Sequence, residues 1–223
     1  MTELLLQVQN EAAQGTKSIS LFQILMKGGV FLIPILILSF VAIYIFVERY
    51  LTIRKASQTD PDFMDNIRDY VSNGNIEAAK ELCRQNDTPI ARMIEKGLMR
   101  IGKPLKGIEV AIENVGKLEV YKLERGLSTI ATISGAAPML GFLGTVTGMI
   151  RAFFNLSKAG NNIDVGLLSG GIYEALITTA VGLAVGIIAY IGYNLLVAMV
   201  DKAVHKMEAT SVEFVDLLQE PAS

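Results

Sequence analysis

The chain has 223 residues, 51% of them hydrophobic and only 19% charged, with a net charge of −2. That balance fits a membrane protein rather than an average globular domain, and the slight negative charge argues against a nucleic-acid partner. One cysteine (Cys83) and one histidine (His205) allow neither an internal disulfide nor a CxxC pair, and the pattern calls for no metal or cofactor.

Residues 1–27 read as an arm on the outer side of the membrane. Within and just beyond it, SLFQILMKGG (20–29) suits either a short amphipathic helix lying in the interface or a plain extension of the first span. Residues 28–47 carry no Asp, Glu, Lys or Arg, and the same holds for 126–150 and 175–200. At about 1.5 Å per residue, a helix over each run crosses a hydrocarbon core of roughly 30 Å. The first run begins late, follows the non-basic MTELLL and lacks a small-residue cleavage pattern, so it reads as a span and not as a leader. Pro34 falls in the second turn of that span, near the helix start where proline is best tolerated.

Residues 48–125 hold 14 of the 20 lysines and arginines. Arg49, Arg54 and Lys55 flank the first span on that side, Lys117, Lys122 and Arg125 flank the second, and Lys202 and Lys206 follow the third. Lys17, Lys27, Arg151 and Lys158 stand opposite. The basic excess predicts an outward N-terminus, with 48–125 and 201–223 in the cytoplasm. Within 48–125, DPDFMDNIRDYVSNGN predicts a helix from about Asp60–Pro61 to Asn73–Gly74. NIEAAKELCRQ predicts a second, with Asn75 as N-cap and Cys83 as a packing residue. TPIARMIEKGLMRIGKP predicts a third, stopped by Gly102 and Pro104. Ile108, Ile112, Val115 and Leu118 then recur at helical spacing, and one helix is expected from about Leu105 into the second span. His205 is expected to act as a helix-end cation.

The second span (126–155) is lined by small residues. Ser134, Gly141 and Gly148 recur every seven positions, with Ala137 and Gly144 between them. After an outer loop (156–166), the third span (167–200) repeats the device at Gly171, Ala175, Thr178, Gly182 and Gly186, and its helix is expected to continue to about residue 218. Small stripes let helix backbones approach in lipid. Two such stripes point to assembly of several copies, the alternative being packing inside one three-helix subunit. The threonines beside them either bond their own i−4 carbonyls or line a polar path.

Glu174 heads the last uncharged run. A charge at the bilayer centre costs about 2.5–3.5 kcal/mol on insertion scales, so an acid there is a functional candidate. If the helix starts at Gly171, Glu174 instead sits in a first turn favoured by the helix dipole. If it starts nearer Leu167, Glu174 lies well along the helix with Thr178 on its face. Thr179 is about 140° away. Nothing resembles HExxH, a nucleophile–histidine pair or a phosphate-cradling loop, and too few residues remain for an enzyme domain.

APMLGFLGTVTGMI (137–150) followed by GGIYEALITTAVGLAVGIIAYIGYN (170–194) resembles the ExbB/TolQ family, which is related more distantly to MotA. GNIEAAKELCRQ and TPIARMIEKGL resemble it more loosely. Three spans with an outward N-terminus fit ExbB and TolQ better than the four-span MotA. The resemblance implies an all-α bacterial inner-membrane protein with long cytoplasmic helical extensions. It implies a pentameric ring around an ExbD/TolR-type single-span partner, whose essential aspartate exchanges protons with the ring. That motion would drive a TonB- or TolA-like transducer. Residue by residue, the family's third-span acid matches Glu174, its GTV threonine matches Thr145, and its third-span threonine matches Thr179. Thr178 remains a candidate by helical spacing. Family members commonly carry proline where this chain has Ile188, so the third helix is expected to be straighter here.

Overall fold

The computed structural model describes residues 29–58, 60–158 and 165–219, and among them every regular element is a helix. In chain order these are α1 (Leu32–Ser57), α2 (Phe63–Ser72), α3 (Ile76–Gln85), α4 (Pro89–Leu98), α5 (Leu105–Glu124), α6 (Leu127–Lys158) and α7 (Val165–Leu217). The N-terminal arm, including most of the expected interfacial stretch, lies outside the described residues. Among the described residues, three stretches are long and apolar enough to cross a membrane: Leu32–Ser57, Leu105–Lys158 and Leu168–Leu217. The three expected spans fall on α1, α6 and α7. Helix α6 runs on to Lys158 and α7 starts at Val165, and the middle of the loop expected over 156–166 lies outside the described residues. Pro34 lies in the first turn of α1 and interrupts nothing.

The described residues fall into two compact units, one within 29–38 and 135–186, the other within 39–134 and 187–219. In the second unit the sequence sets each short helix by local chemistry. The Asn75 side chain accepts a hydrogen bond from the Ala78 N–H at 3.3 Å and opens α3, as predicted. Thr88 accepts from the Ala91 N–H at 3.2 Å and opens α4, whose first residue is Pro89. Gly74, at φ +69°, follows α2 in a left-handed conformation that any residue with a Cβ resists. Helix α4 ends at Leu98 and not at Gly102. A turn bonded Arg100 N–H to Gly97 O and Lys103 N–H to Arg100 O carries the chain on to Pro104.

The core of this unit gathers Phe63, Ile67, Cys83, Ile90, Ile94, Leu98, Ile112 and Phe214, all nearly inaccessible. Gly97 lets α4 seat against Phe214 and Ile112, since an added Cβ would lie 2.5 Å from the Phe214 ring. Among the described residues of this unit, one buried side chain is charged. Glu119 is buried, and Arg92 and Lys122 donate to its two oxygens at 2.6 Å each. Arg92 also pairs with Asp87.

The expected single helix from Leu105 into the second span is broken. Arg125 turns extended at φ −54°, ψ 128°, and Gly126 sits at φ +84°. No other residue type takes that φ comfortably, so Gly126 ends α5 where its sequence had looked like a weak breaker. The break frees carbonyls at the end of α5, and Arg49 Nη1 donates to one of them, Lys122 O, at 3.2 Å. The third helix passes Ile188 without interruption and ends at Leu217, close to the expected residue 218.

Candidate functional site

In the first unit, α6 and α7 lie antiparallel at very close range. A Cβ on Gly141 would fall 2.9 Å from Thr178 O and 3.2 Å from Gly182 Cα. One on Gly148 would fall 3.0 Å from Ala175 Cβ, and one on Gly171 2.7 Å from Ala152 Cβ. Seven residues forward on α6, from Gly141 to Gly148, match seven back on α7, from Gly182 to Ala175. Four more, to Ala152, match four back, to Gly171. Gly144 receives the Thr178 side chain, and Gly182 presses on Ala137 O. Gly186 is also buried, and Ser134 donates to Ala131 O of its own helix at 2.7 Å. The two small-residue stripes therefore face each other inside one chain. Their packing is the within-subunit alternative, and it does not itself hold copies together. The seven-residue spacing looked the same for either partner, which is why the sequence pointed to assembly.

This close approach brings two threonines together. Thr145 of α6 donates to Ala175 O of α7 at 3.2 Å, and Thr179 of α7 donates to Gly141 O of α6 at 3.0 Å. Their hydroxyls also meet each other directly. Each side chain thus reaches a carbonyl of the opposite helix. Thr178 does something different. It is buried, and its hydroxyl turns back to Ala175 O and Glu174 O of its own helix at 2.9 and 3.2 Å. Helical spacing favoured Thr178 as the partner of Glu174, but its hydroxyl is occupied locally.

Glu174 stands nine residues beyond the start of α7, outside the first turn, so the helix-dipole account does not apply. Its carboxylate is 24% exposed and lies 3.3 Å from Arg151 Nη1 of α6. The turn before α1 crosses over it. An added methyl at Gly29, which has φ +64°, would overlap the Glu174 carboxylate itself. Three segments therefore enclose this acid: the residue ahead of α1, the C-terminal half of α6, and α7. Sequence reasoning placed Arg151 only as a flanking charge. Its proximity to Glu174 depends on the α6–α7 register, for which the facing stripes were the available signal.

The surroundings are apolar. Met139, Phe142 and Ile150 of α6 and Leu176 and Leu183 of α7 are exposed. Thr145 and Thr179 turn away from that surface into the helix contact, and Glu174 is partly covered by Arg151 and Gly29. The arrangement offers a carboxylate, a guanidinium and a hydroxyl pair, which can hold and pass protons or water but present no nucleophile with its base.

Residues 85–209, more than half of the chain, match the MotA/TolQ/ExbB proton channel family. A biopolymer transport protein ExbB homolog of Methanothermobacter thermautotrophicus is 32% identical over 82% of the chain and 64% of its own length, so the chain spans a little under two thirds of that relative. An ExbB-like biopolymer transport protein of Synechocystis is 33% identical over 78% of the chain and 69% of its own length. The Tol-Pal system protein TolQ of Haemophilus influenzae is 37% identical over 40% of the chain and 39% of its own length.

Proposed function

The chain belongs to the MotA/TolQ/ExbB proton channel family, and from that premise we propose that it is the ring-forming subunit of a proton-driven inner-membrane motor. In this reading it assembles as a pentamer around an ExbD/TolR-like single-span protein and couples proton-motive force to a TonB-like transducer for outer-membrane transport. The N-terminus faces the periplasm, and residues 48–125 and 201–223 face the cytoplasm. The ring rests on family membership and on surface left over. Only 22%, 28% and 22% of the three apolar windows are buried within the chain, which leaves wide faces for lipid and for further copies.

The proton path we assign runs through Glu174, with Thr145 and Thr179 beside it. One observation carries this assignment. Thr145 and Thr179 turn into the contact between α6 and α7 and the Glu174 side chain is only 24% exposed, while Phe142, Ile150, Leu176 and Leu183 take the exterior. Support for an ExbB-type role over a TolQ-type role in envelope maintenance comes from two ExbB-like relatives that align over 82% and 78% of the chain; the TolQ relative aligns over 40%, as narrowly as one ExbB relative at 39%.

Glu174→Gln tests the path. It preserves shape and most hydrogen bonding but removes the titratable group. We expect normal protein levels and assembly, with loss of energised uptake or envelope function in cells. Wild-type activity in that variant would leave Glu174 a structural acid and the protein a passive scaffold.

A further inference from the structure

We propose that Arg151 is a positioning residue for Glu174, holding its carboxylate against Gly29 until the pair parts and the acid is free to take a proton. The inference rests on the proton-path role of Glu174 argued above. Its own ground is geometric. Arg151 Nη1 lies 3.3 Å from Glu174 Oε1, and the side of the carboxylate facing the turn before α1 is closed by Gly29, where an added methyl would overlap Oε1. The stripe contacts Gly148–Ala175 and Ala152–Gly171 flank the pair on both sides along the helices. They fix the register that lets an arginine on α6 reach an acid on α7.

The pair has the properties of a latch and lacks those of a brace. A brace is fully buried, and its loss unfolds its surroundings. Here the Arg151 side chain is 56% exposed and the Glu174 side chain 24%, so the guanidinium can swing out without opening the helix contact beneath it. The Gly141–Gly182 and Gly148–Ala175 contacts hold α6 to α7 with or without the ion pair. Arg151 stands against Oε1 and Gly29 closes the side toward the turn, so parting the pair opens the approach of a proton donor to that oxygen.

The test reads the carboxyl itself and does not depend on motor activity. A hydrophobic carbodiimide couples to a carboxyl that is unpaired and protonated. It is applied to the full-length protein in native membranes, and modification at Glu174 is followed by mass spectrometry. Arg151→Gln should label about two- to fivefold faster than the unmodified protein, the range expected for losing a partly exposed ion pair. Arg151→Lys, which restores a cation, should label at close to the unmodified rate. Equal rates for Arg151→Gln and the unmodified protein would overturn the proposal. Equal acceleration in both variants would also overturn it, since the lost feature would then be the packing of arginine and not its charge. Glu174→Gln supplies the blank for the label. Its activity in cells decides the proton-path reading separately, so the two ideas fail by different results.

Discussion

Thr145 and Thr179 each donate to a backbone carbonyl of the other's helix, Ala175 O and Gly141 O respectively, so the two hydroxyls tie α6 and α7 together reciprocally. Interhelical bonds of this kind average about 0.6 kcal/mol in a membrane. Thr145→Val and Thr179→Val should each lower the melting temperature slightly. Because the two hydroxyls also touch, the double variant should lose less than the sum of the single losses. If these hydroxyls serve the proposed proton path, energised uptake in cells should weaken in each and return in the serine variants. Additive losses in a double-mutant cycle would show that the two bonds act independently.

Gly141 and Gly182 leave no room for a side chain, whereas a Cβ on Gly135 of the same α6 would meet nothing within 4 Å. Gly141→Leu and Gly182→Leu should each destabilise the single chain by about 1–3 kcal/mol or more, with or without neighbouring copies. Gly135→Leu should be near neutral. Thermal unfolding in detergent at protein concentrations that separate monomer from oligomer checks this. A Gly141→Leu monomer as stable as the unmodified one would place the stripe contact between copies and not within one.

Glu119 gives the second unit an acid-sensitive point. Burial alone would raise its pKa, but the hydrogen bonds and charges of Arg92 and Lys122 outweigh burial and hold the carboxyl below its ordinary 4.5. The folded state then binds this proton less readily than the unfolded chain does. The stabilisation is complete above about pH 4.5 and fades as pH falls toward the folded value. Glu119→Gln should flatten this part of the stability–pH curve. Glu119→Ala should cost about 1–3 kcal/mol at neutral pH, because it leaves the Arg92 guanidinium short of a partner. An unchanged acid limb in Glu119→Gln would assign the pH dependence to other groups.

Cys83 is nearly inaccessible inside the second unit, and burial, helped by the charge of Glu95, pushes its thiol up to about 12. It should resist maleimide at pH 7 in the folded protein and react promptly in denaturant. Cys83→Ser should place a hydroxyl among apolar neighbours and cost about 1–3 kcal/mol. Rapid labelling under native conditions would show that α3 opens readily from the rest of its unit.

What the sequence disclosed and what it hid divide along a physical line. Features set within a few residues were legible. Asn75 capped α3, Gly74 followed α2, and three uncharged runs marked three long helices. The acid and threonines of the candidate site were legible too, by motif. Features set by the register between distant segments were hidden. A heptad of small residues shows that a helix has a close neighbour, but not whether the neighbour belongs to the same chain. Arg151 and Glu174 are 23 residues apart, and only the docked helices make them partners. Gly126 was hidden for another reason. A glycine within helical sequence costs about 1 kcal/mol and is often tolerated. Here Arg49 compensates by taking the Lys122 carbonyl, so breaking the helix becomes the better outcome.

The matched stripes of α6 and α7 behave like a key cut for one lock position. Slide α7 by one turn, about 5.4 Å, and a bulkier residue enters a seat made for a small one. In one direction Thr179 replaces Ala175 against Gly148, and in the other Thr178 replaces Gly182 against Gly141. Each such slide has to find room for a threonine where the present register seats a glycine or an alanine. The side chains along this seam therefore favour one register, and sliding α7 along α6 carries a packing cost.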